Sequence, residues 1–366
     1  MNIIFHTPLP LAVNPVSASG IRPMRMIDAF SALGHKVDVV SGHGRERAKA
    51  IGDVKKKIRN GTKYALAYSE SSTMPTLLTE RHHLPTRPCL DFGFFKHLND
   101  LKVPIGLFYR DIYWAFPEYE KNVGALRAKF ARFFYRYDLQ RYNSQLDMLY
   151  VPSIRMVESI PSSMTCPISE LPPGHDFDAA RVSTTRSGVP GELRLLYIGG
   201  LSSHYQMHEL FSAVSASANT RLVVCTRDLE WHSNQSAYAP YLSENIEIVH
   251  ASGEGLNALY DRSDIALVFV KPHAYWTFAA PVKLYEYLGR GTPIIASKGT
   301  LAAEFVEANK VGWVIPYTSD DLSALLRHLS QNPDEIERAR QQCLTVLSQH
   351  SWKARAAQVI NDLAGA

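Results

Sequence analysis

Only four cysteines occur among the 366 residues, Cys89, Cys166, Cys225 and Cys343. No two are close enough in sequence to form a metal-binding pair, so they read as reduced thiols of a cytoplasmic protein. No apolar run approaches the ~20 residues of a membrane-spanning helix, so any membrane contact must be peripheral. The first residues, Asn2 to His6, are a short apolar run followed by Thr7-Pro8. They lack the basic leader and long apolar stretch of a signal peptide, and a buried first strand is expected. Charge of one sign is missing too. The 39 Lys and Arg stand against 35 Asp and Glu, a formal net charge of +4. That is too mild to suggest nucleic acid, although a basic patch could meet phosphates or an anionic membrane surface. No loop has dinucleotide-fingerprint spacing, so NAD binding is not supported. His82 and His83 point to different sides of any regular element, so no shared metal is expected.

What is present is ordinary folded-protein composition, 46% apolar and 20% charged, and the length suggests two domains. Short apolar runs alternate with amphipathic segments, which predicts parallel sheets covered by helices on both faces. Strands are expected near Ile3 to His6, Lys36 to Val40, Tyr64 to Tyr68, Pro104 to Phe108 and Met148 to Val151. A second series runs through Leu193 to Ile198, Leu222 to Cys225, Ile246 to Val249, Ile265 to Val270, Ile294 to Ala296 and Trp313 to Ile315. Between the series the chain is polar and rich in Ser, Thr, Gly and Pro, like an exposed linker. The expected division is 1–174, a linker at 175–192, and 193–349, with 350–366 rejoining the first domain.

The most informative segment is Pro281-Val282-Lys283-Leu284-Tyr285-Glu286-Tyr287-Leu288-Gly289-Arg290-Gly291-Thr292-Pro293 and the apolar strand after it. Pro281 suits the first turn of a helix. The positive end of that helix and its free N–H groups would face the preceding loop, where a diphosphate is a natural occupant. Lys283 and Glu286 lie three apart and share a face. A lysine beside phosphates and a carboxylate one turn deeper, accepting from ribose hydroxyls, would hold a nucleotide at both ends. A surface ion pair on an ordinary α/β helix would have the same sequence.

The segment resembles the donor-site helix of the retaining glycosyltransferases of family four, specifically the Pro-x-Lys-Leu-x-Glu-Tyr branch. Glu286, Gly291 and Pro293 stand at the matching positions. Leu195-Leu196-Tyr197-Ile198-Gly199-Gly200-Leu201-Ser202 is similar to the first strand and loop of the donor domain. Leu171-Pro172-Pro173-Gly174-His175-Asp176 is similar to the turn ending the acceptor domain. Leu33-Gly34-His35-Lys36-Val37 is similar to the start of the second strand, and Ser351-Trp352 to the opening of the crossing C-terminal helix. The resemblance covers nearly the whole chain. It implies the GT-B fold: α/β, two facing Rossmann-like, doubly wound domains, with a C-terminal helix crossing back to the first.

The implied reaction moves a hexosyl unit from a nucleoside diphosphate sugar to an acceptor hydroxyl with retention. The implied setting is cell-surface polysaccharide or glycolipid synthesis at the inner face of a membrane, with a glycan or lipid-linked acceptor. The nucleotide sugar is the donor substrate, and no cofactor or metal is required in principle, because cations and helix N-termini can stabilise the departing diphosphate. The donor side is expected to use Glu286, Lys283, Val282, Gly199, Gly200, Arg227 and Lys271. Ligands bind outside the carboxyl ends of the strands in such sheets. After the first strand, Ser19 and Gly20 in a small-residue loop could approach phosphate or acceptor. After the fourth, Asp111 could orient the acceptor hydroxyl, Arg110 could face phosphate, and Tyr113 or Trp114 could stack on a sugar. Asp111, Arg110 and Lys283 are the catalytic candidates.

Two departures make an alternative credible, a catalytically inactive glycan-binding or scaffold relative. The first of the family's two glutamates is replaced by Phe278, and the loop Arg by Gly200. Finally, Leu126, Phe130, Phe133, Phe134 and Tyr137 recur at helical spacing beside Lys129, Arg132 and Arg136. A core-facing helix with a solvated basic flank is expected there, a membrane-surface helix being the other reading.

Overall fold

A computed structural model of the chain describes residues 1–11, 18–176, 191–201 and 205–365. Most of the expected 175–192 linker therefore lies outside the described residues, as do parts of the two glycine-containing loops. The chain divides into two compact units, Met1–Pro173 with Trp352–Ala366, and Gly174–Ser351.

The first unit contains β1 (Asn2–His6), α1 (Ala18–Ala32), β2 (Lys36–Val40), α2 (Gly44–Arg59), β3 (Leu66–Glu70), α3 (Leu90–Asp100), β4 (Ile105–Phe108), α4 (Pro117–Val123), α5 (Ala125–Gln145), β5 (Met148–Val151) and β6 (Ile168–Glu170). Its parallel sheet has the order β2-β1-β3-β4-β5-β6. The chain reverses direction across the sheet at β1/β3, the switch point where such folds bind ligands. The second unit contains β7 (Leu193–Ile198), α6 (His208–Ser215), β8 (Thr220–Cys225), α7 (Asp228–Tyr238), β9 (Ile246–Val249), α8 (Asn257–Asp261), β10 (Ile265–Val268), α9 (Val282–Gly289), β11 (Ile294–Ser297), α10 (Leu301–Asn309), β12 (Gly312–Ile315), α11 (Ser319–Gln331) and α12 (Pro333–Val346). Its parallel sheet is ordered β12-β11-β10-β7-β8-β9, with the switch point at β7/β10.

Because side chains alternate across a strand, a sheet covered on both faces needs apolar residues at successive positions. In β7, Leu195 and Tyr197 join the core on one face while Leu196 and Ile198 join the core on the other. The last helix, α13 (Trp352–Ala364), belongs to the first unit. Its Trp352, Ala356, Val359 and Leu363 pack with Ile3, Phe5, Met26, Phe30 and Tyr68.

The structure moves several expected elements. β3 runs from Leu66 to Glu70 rather than from Tyr64 to Tyr68, in register with β1 as far as His6 opposite Ser69. Its polar end is tolerated because buried Glu70 meets Arg22 (3.3 Å) and Arg110 (2.8 Å). β6 was not expected; it is a three-residue edge strand on β5. β10 ends at Val268, two residues early, although Phe269 and Val270 remain buried.

The largest correction concerns α5. Its buried face is Ala128, Ala131, Tyr135, Asp138, Leu139, Tyr142 and Gln145. Leu126, Phe130 and Phe133 are 87%, 47% and 65% exposed. The first part of the apolar stripe therefore points away from the core, whereas Tyr137 at its end packs edge-on against buried Phe92 (5.6 Å). The inward face works instead by small residues and by internal hydrogen bonds: Thr76 N–H donates to Asp138 (2.7 Å) and Tyr135 O–H to the Thr73 carbonyl (2.6 Å).

Candidate functional site

In the second unit the candidate donor residues gather at the carboxyl ends of the central strands. Pro281, in extended conformation, caps α9 rather than beginning it, and the helix starts at Val282. Among the described residues no side chain caps this start, so the first N–H groups can face a ligand. The apolar side of α9, with Leu284, Tyr285, Tyr287 and Leu288, is buried. The Tyr287 hydroxyl accepts from the Ile198 N–H at the end of β7 (2.8 Å), fixing α9 beside the Gly199-Gly200 loop. On the half-exposed side, Lys283 and Glu286 form an ion pair, and Tyr260 O–H donates to the same carboxylate (3.3 Å). Lys283 is also close enough to the β8 end to pull down the pKa of the Cys225 thiol, which burial pushes up on balance. Gly291, with φ +62°, makes the left-handed turn that stops α9 ahead of Pro293 and β11.

Gly200 stands where the family pattern has an Arg. Its carbonyl accepts from Tyr197 O–H (2.7 Å), and a Cβ there would lie 2.6 Å from a Glu230 carboxylate oxygen. That oxygen already accepts the Leu201 N–H (2.9 Å). An acidic side chain thus lies beside Gly200. Phe278, where the first glutamate was expected, is buried and edge-on to Tyr275. Arg227 caps α7 and is exposed, with Glu230 3.5 Å away. Lys271 follows β10 with an exposed side chain, its N–H bonded to the Gln206 carbonyl (3.0 Å). Gly199, Gly200 and Lys271 therefore flank the β7/β10 switch point, and Arg227 lies at the adjacent strand end.

In the first unit Ser19 and Gly20 lie in the first turn of α1. Arg110 does not project a free guanidinium. It donates to Glu70 (2.8 Å) and to the Ser71 carbonyl (3.2 Å), with a side chain only 12% exposed. Asp111 accepts the Tyr113 N–H (2.9 Å), and burial raises its carboxyl pKa. The Tyr113 hydroxyl accepts from Asn122 (2.7 Å), leaving the half-exposed ring at the rim. Trp114 is a correction. It is buried, stacked on Tyr135 at 4.7 Å, and donates from its indole N–H to Tyr109 (2.9 Å). It supports the wall of the site and cannot offer its face to a sugar.

Two buried networks were not foreseen. Arg22 lies over the Phe108 ring at 3.4 Å and joins Arg110 on Glu70. His6 bridges Ser69 (2.8 Å) and Asp91 (2.9 Å), and Arg47 holds the other oxygen of Asp91 (3.0 Å). The partners are up to 85 residues apart, so no local motif announces them. Strand-end polar residues such as His6, Ser69 and Glu70 were the available signal. The His6 group resembles a Ser-His-Asp array but is buried throughout, which makes it a structural clamp. Among the described residues no group of three or more His, Cys, Asp or Glu could hold a metal ion, and no helix is long and apolar enough to cross a membrane.

Residues 206–361 match a family model described as "Glycosyl transferase-like". No curated protein sequence matches the chain. Among solved structures, HepE from Anabaena in complex with UDP-glucose is 12% identical over 100% of both chains, with a TM-score of 0.65. Sucrose-phosphate synthase from Thermosynechococcus elongatus is 14% identical over 98% of this chain and 97% of its own, with a TM-score of 0.61. WaaG, a glycosyltransferase involved in lipopolysaccharide biosynthesis, is 13% identical over 100% of both chains, with a TM-score of 0.60. The chain has the GT-B fold, and its C-terminal part is glycosyltransferase-like.

Proposed function

We propose that the protein is a retaining glycosyltransferase that moves a hexosyl unit from a nucleoside diphosphate sugar to an acceptor hydroxyl. The observation that carries this reading is the Lys283–Glu286 pair on an uncapped helix start, pinned by Tyr287 to the end of β7 at the β7/β10 switch point. Donor binding would separate the pair, Lys283 turning to the diphosphate and Glu286 to the ribose hydroxyls. The N–H groups at Val282 and Gly200, with Arg227 and Lys271, would complete the phosphate environment, the Gly199 N–H being held by the Cys225 carbonyl (3.0 Å).

In the transfer, the bond between the anomeric carbon and the diphosphate oxygen breaks as the acceptor oxygen bonds to the same face of that carbon. The acceptor proton passes to the departing phosphate oxygen, so the chain need not supply a strong general base. No metal is assigned to the step. Asp111 would orient the acceptor hydroxyl, with Ser19, Gly20 and Tyr113 on the acceptor side. HepE binds UDP-glucose, and WaaG is a glycosyltransferase involved in lipopolysaccharide biosynthesis. They support a role in cell-surface glycan synthesis, with a glycan or lipid-linked acceptor at the inner face of a membrane.

The test is a panel of nucleoside diphosphate sugars, read by thermal stabilisation and by diphosphate release. Stabilisation by one base, followed by release and a product of unchanged anomeric configuration, is expected. Binding without turnover in the presence of acceptors would favour the catalytically inactive relative, the reading that buried Phe278 supports.

A further inference from the structure

We propose that the outer face of α5 is a docking surface for an anionic lipid bilayer. Leu126, Phe130 and Phe133 project from one side of the helix at 87%, 47% and 65% exposure. Phe134 packs edge-on against both phenylalanines, at 5.0 and 5.2 Å, so the rings form one ledge. The opposite face is fully used against the body of the unit, so the ledge is not a core face awaiting rearrangement.

The surrounding charge selects the occupant. From residue 121 to 137 the sequence contains Lys121, Arg127, Lys129, Arg132 and Arg136 and no acidic residue. Arg132 pairs with Glu120 at 2.8 Å, while Lys121, Arg127, Lys129 and Arg136 are exposed. By helical geometry Lys129 and Arg136 fall on one flank of the apolar ledge and Arg127 on the other. An aromatic ridge between cations is the pattern that inserts side chains at the acyl boundary while its charges meet anionic headgroups. A second copy docking here by two-fold symmetry would bring the two sets of cations together, which disfavours a homodimer through this face. The inference takes its setting from the peripheral location proposed above, but the binding needs neither donor nor acceptor.

The full chain should be co-sedimented with vesicles of zwitterionic phosphatidylcholine and with vesicles enriched in phosphatidylglycerol. Binding is expected to the anionic vesicles and to weaken with salt. Replacing Arg127, Lys129 and Arg136 by Gln should lower partitioning roughly fivefold per cation removed. Replacing Phe130 and Phe133 by Ser should lower it by on the order of tenfold or more. Both variants should keep the wild-type melting temperature and its stabilisation by nucleoside diphosphates. Equal binding to both vesicle types, no binding at low salt, or indifference to both variants would overturn the proposal. So would a lipid-free dimer that the Ser variant dissolves, which would assign the ledge to a second copy. Failure of the donor reading would appear instead as a missing nucleotide response with vesicle binding intact.

Discussion

Replacing Glu286 by Ala separates donor recognition from folding. In the folded chain its carboxylate meets Lys283 and accepts from Tyr260 O–H, and the side chain is 27% exposed. A half-exposed i,i+3 ion pair contributes about 0.3–0.5 kcal/mol, and the Tyr260 hydrogen bond about 1 kcal/mol. Alanine returns a few tenths through helix propensity, roughly 0.4 kcal/mol. The net folding cost is therefore about 1 kcal/mol, a fall in melting temperature of about 2–4 °C for a chain of this class. The donor loses more. Two ribose hydroxyls donating to one carboxylate are each worth about 1.5–3 kcal/mol. Against this, Lys283 no longer has to leave Glu286, which recovers the roughly 0.5 kcal/mol of the pair. The expected outcome is a nucleoside diphosphate affinity lowered by about 100-fold or more. Calorimetric titration of wild type, Glu286→Ala and Glu286→Gln reads this directly, with Gln intermediate because it keeps an acceptor but not the charge. An Ala variant that binds diphosphate within about threefold of wild type while melting far lower would show that Glu286 only holds α9 in place.

Two further predictions concern buried charge in the first unit. Burial pushes the Asp138 carboxyl up to about 8, against the lowering effect of the Thr76 hydrogen bonds. Between about pH 4, where the unfolded chain releases this proton, and about 8, the folded chain still holds it. Its contribution is thus full below pH ~4 and lost as pH rises through ~8, by up to about 5 kcal/mol. Asp138→Asn keeps an acceptor for Thr76 N–H and should flatten that decline in denaturant titrations at pH 5 and pH 8; an unchanged slope would count against a buried proton. Glu70→Gln leaves Arg22 and Arg110 without their shared counter-charge and should cost about 3–5 kcal/mol. A loss below about 1 kcal/mol would mean that solvent reaches the pair.

The sheets were legible because both are parallel and covered on both faces, which demands apolar runs such as Leu193 to Ile198 with no polar alternation. β6 escaped notice because an edge strand of Ile-Ser-Glu carries almost no such signal. The α5 stripe misled for a related reason. Periodicity locates a face but not its destination, and here the inward face is built from Ala128, Ala131, Tyr135, Asp138 and Tyr142. Their partners, Thr73 and Thr76, come from a loop some 60 residues away in sequence. Trp114 failed similarly: an aromatic after a strand looks available for stacking until Tyr135 is found against it. Within α9, by contrast, the three-residue spacing of Lys283 and Glu286 fixed their pairing through local geometry alone.

The two switch points differ in available charge, and that difference argues which one would suit the diphosphate of the proposed donor. At β1/β3 the arginines are already committed. Arg22 and Arg110 converge on buried Glu70, and burial lowers the pKa of the Arg110 guanidinium. An incoming phosphate there would compete with Glu70 at close range and meet its negative charge. At β7/β10 the cations are more exposed. Lys271 and Arg227 are exposed, Arg227 holds Glu230 only at 3.5 Å, and Lys283 sits in a half-exposed pair that a ligand can divide. The uncapped start of α9 adds oriented N–H groups at the same place. The second unit is therefore the better host for the proposed donor's diphosphate. The first, with its charges internally neutralised and Tyr113 half-exposed, would suit the hydroxyl-bearing acceptor of the proposed transfer.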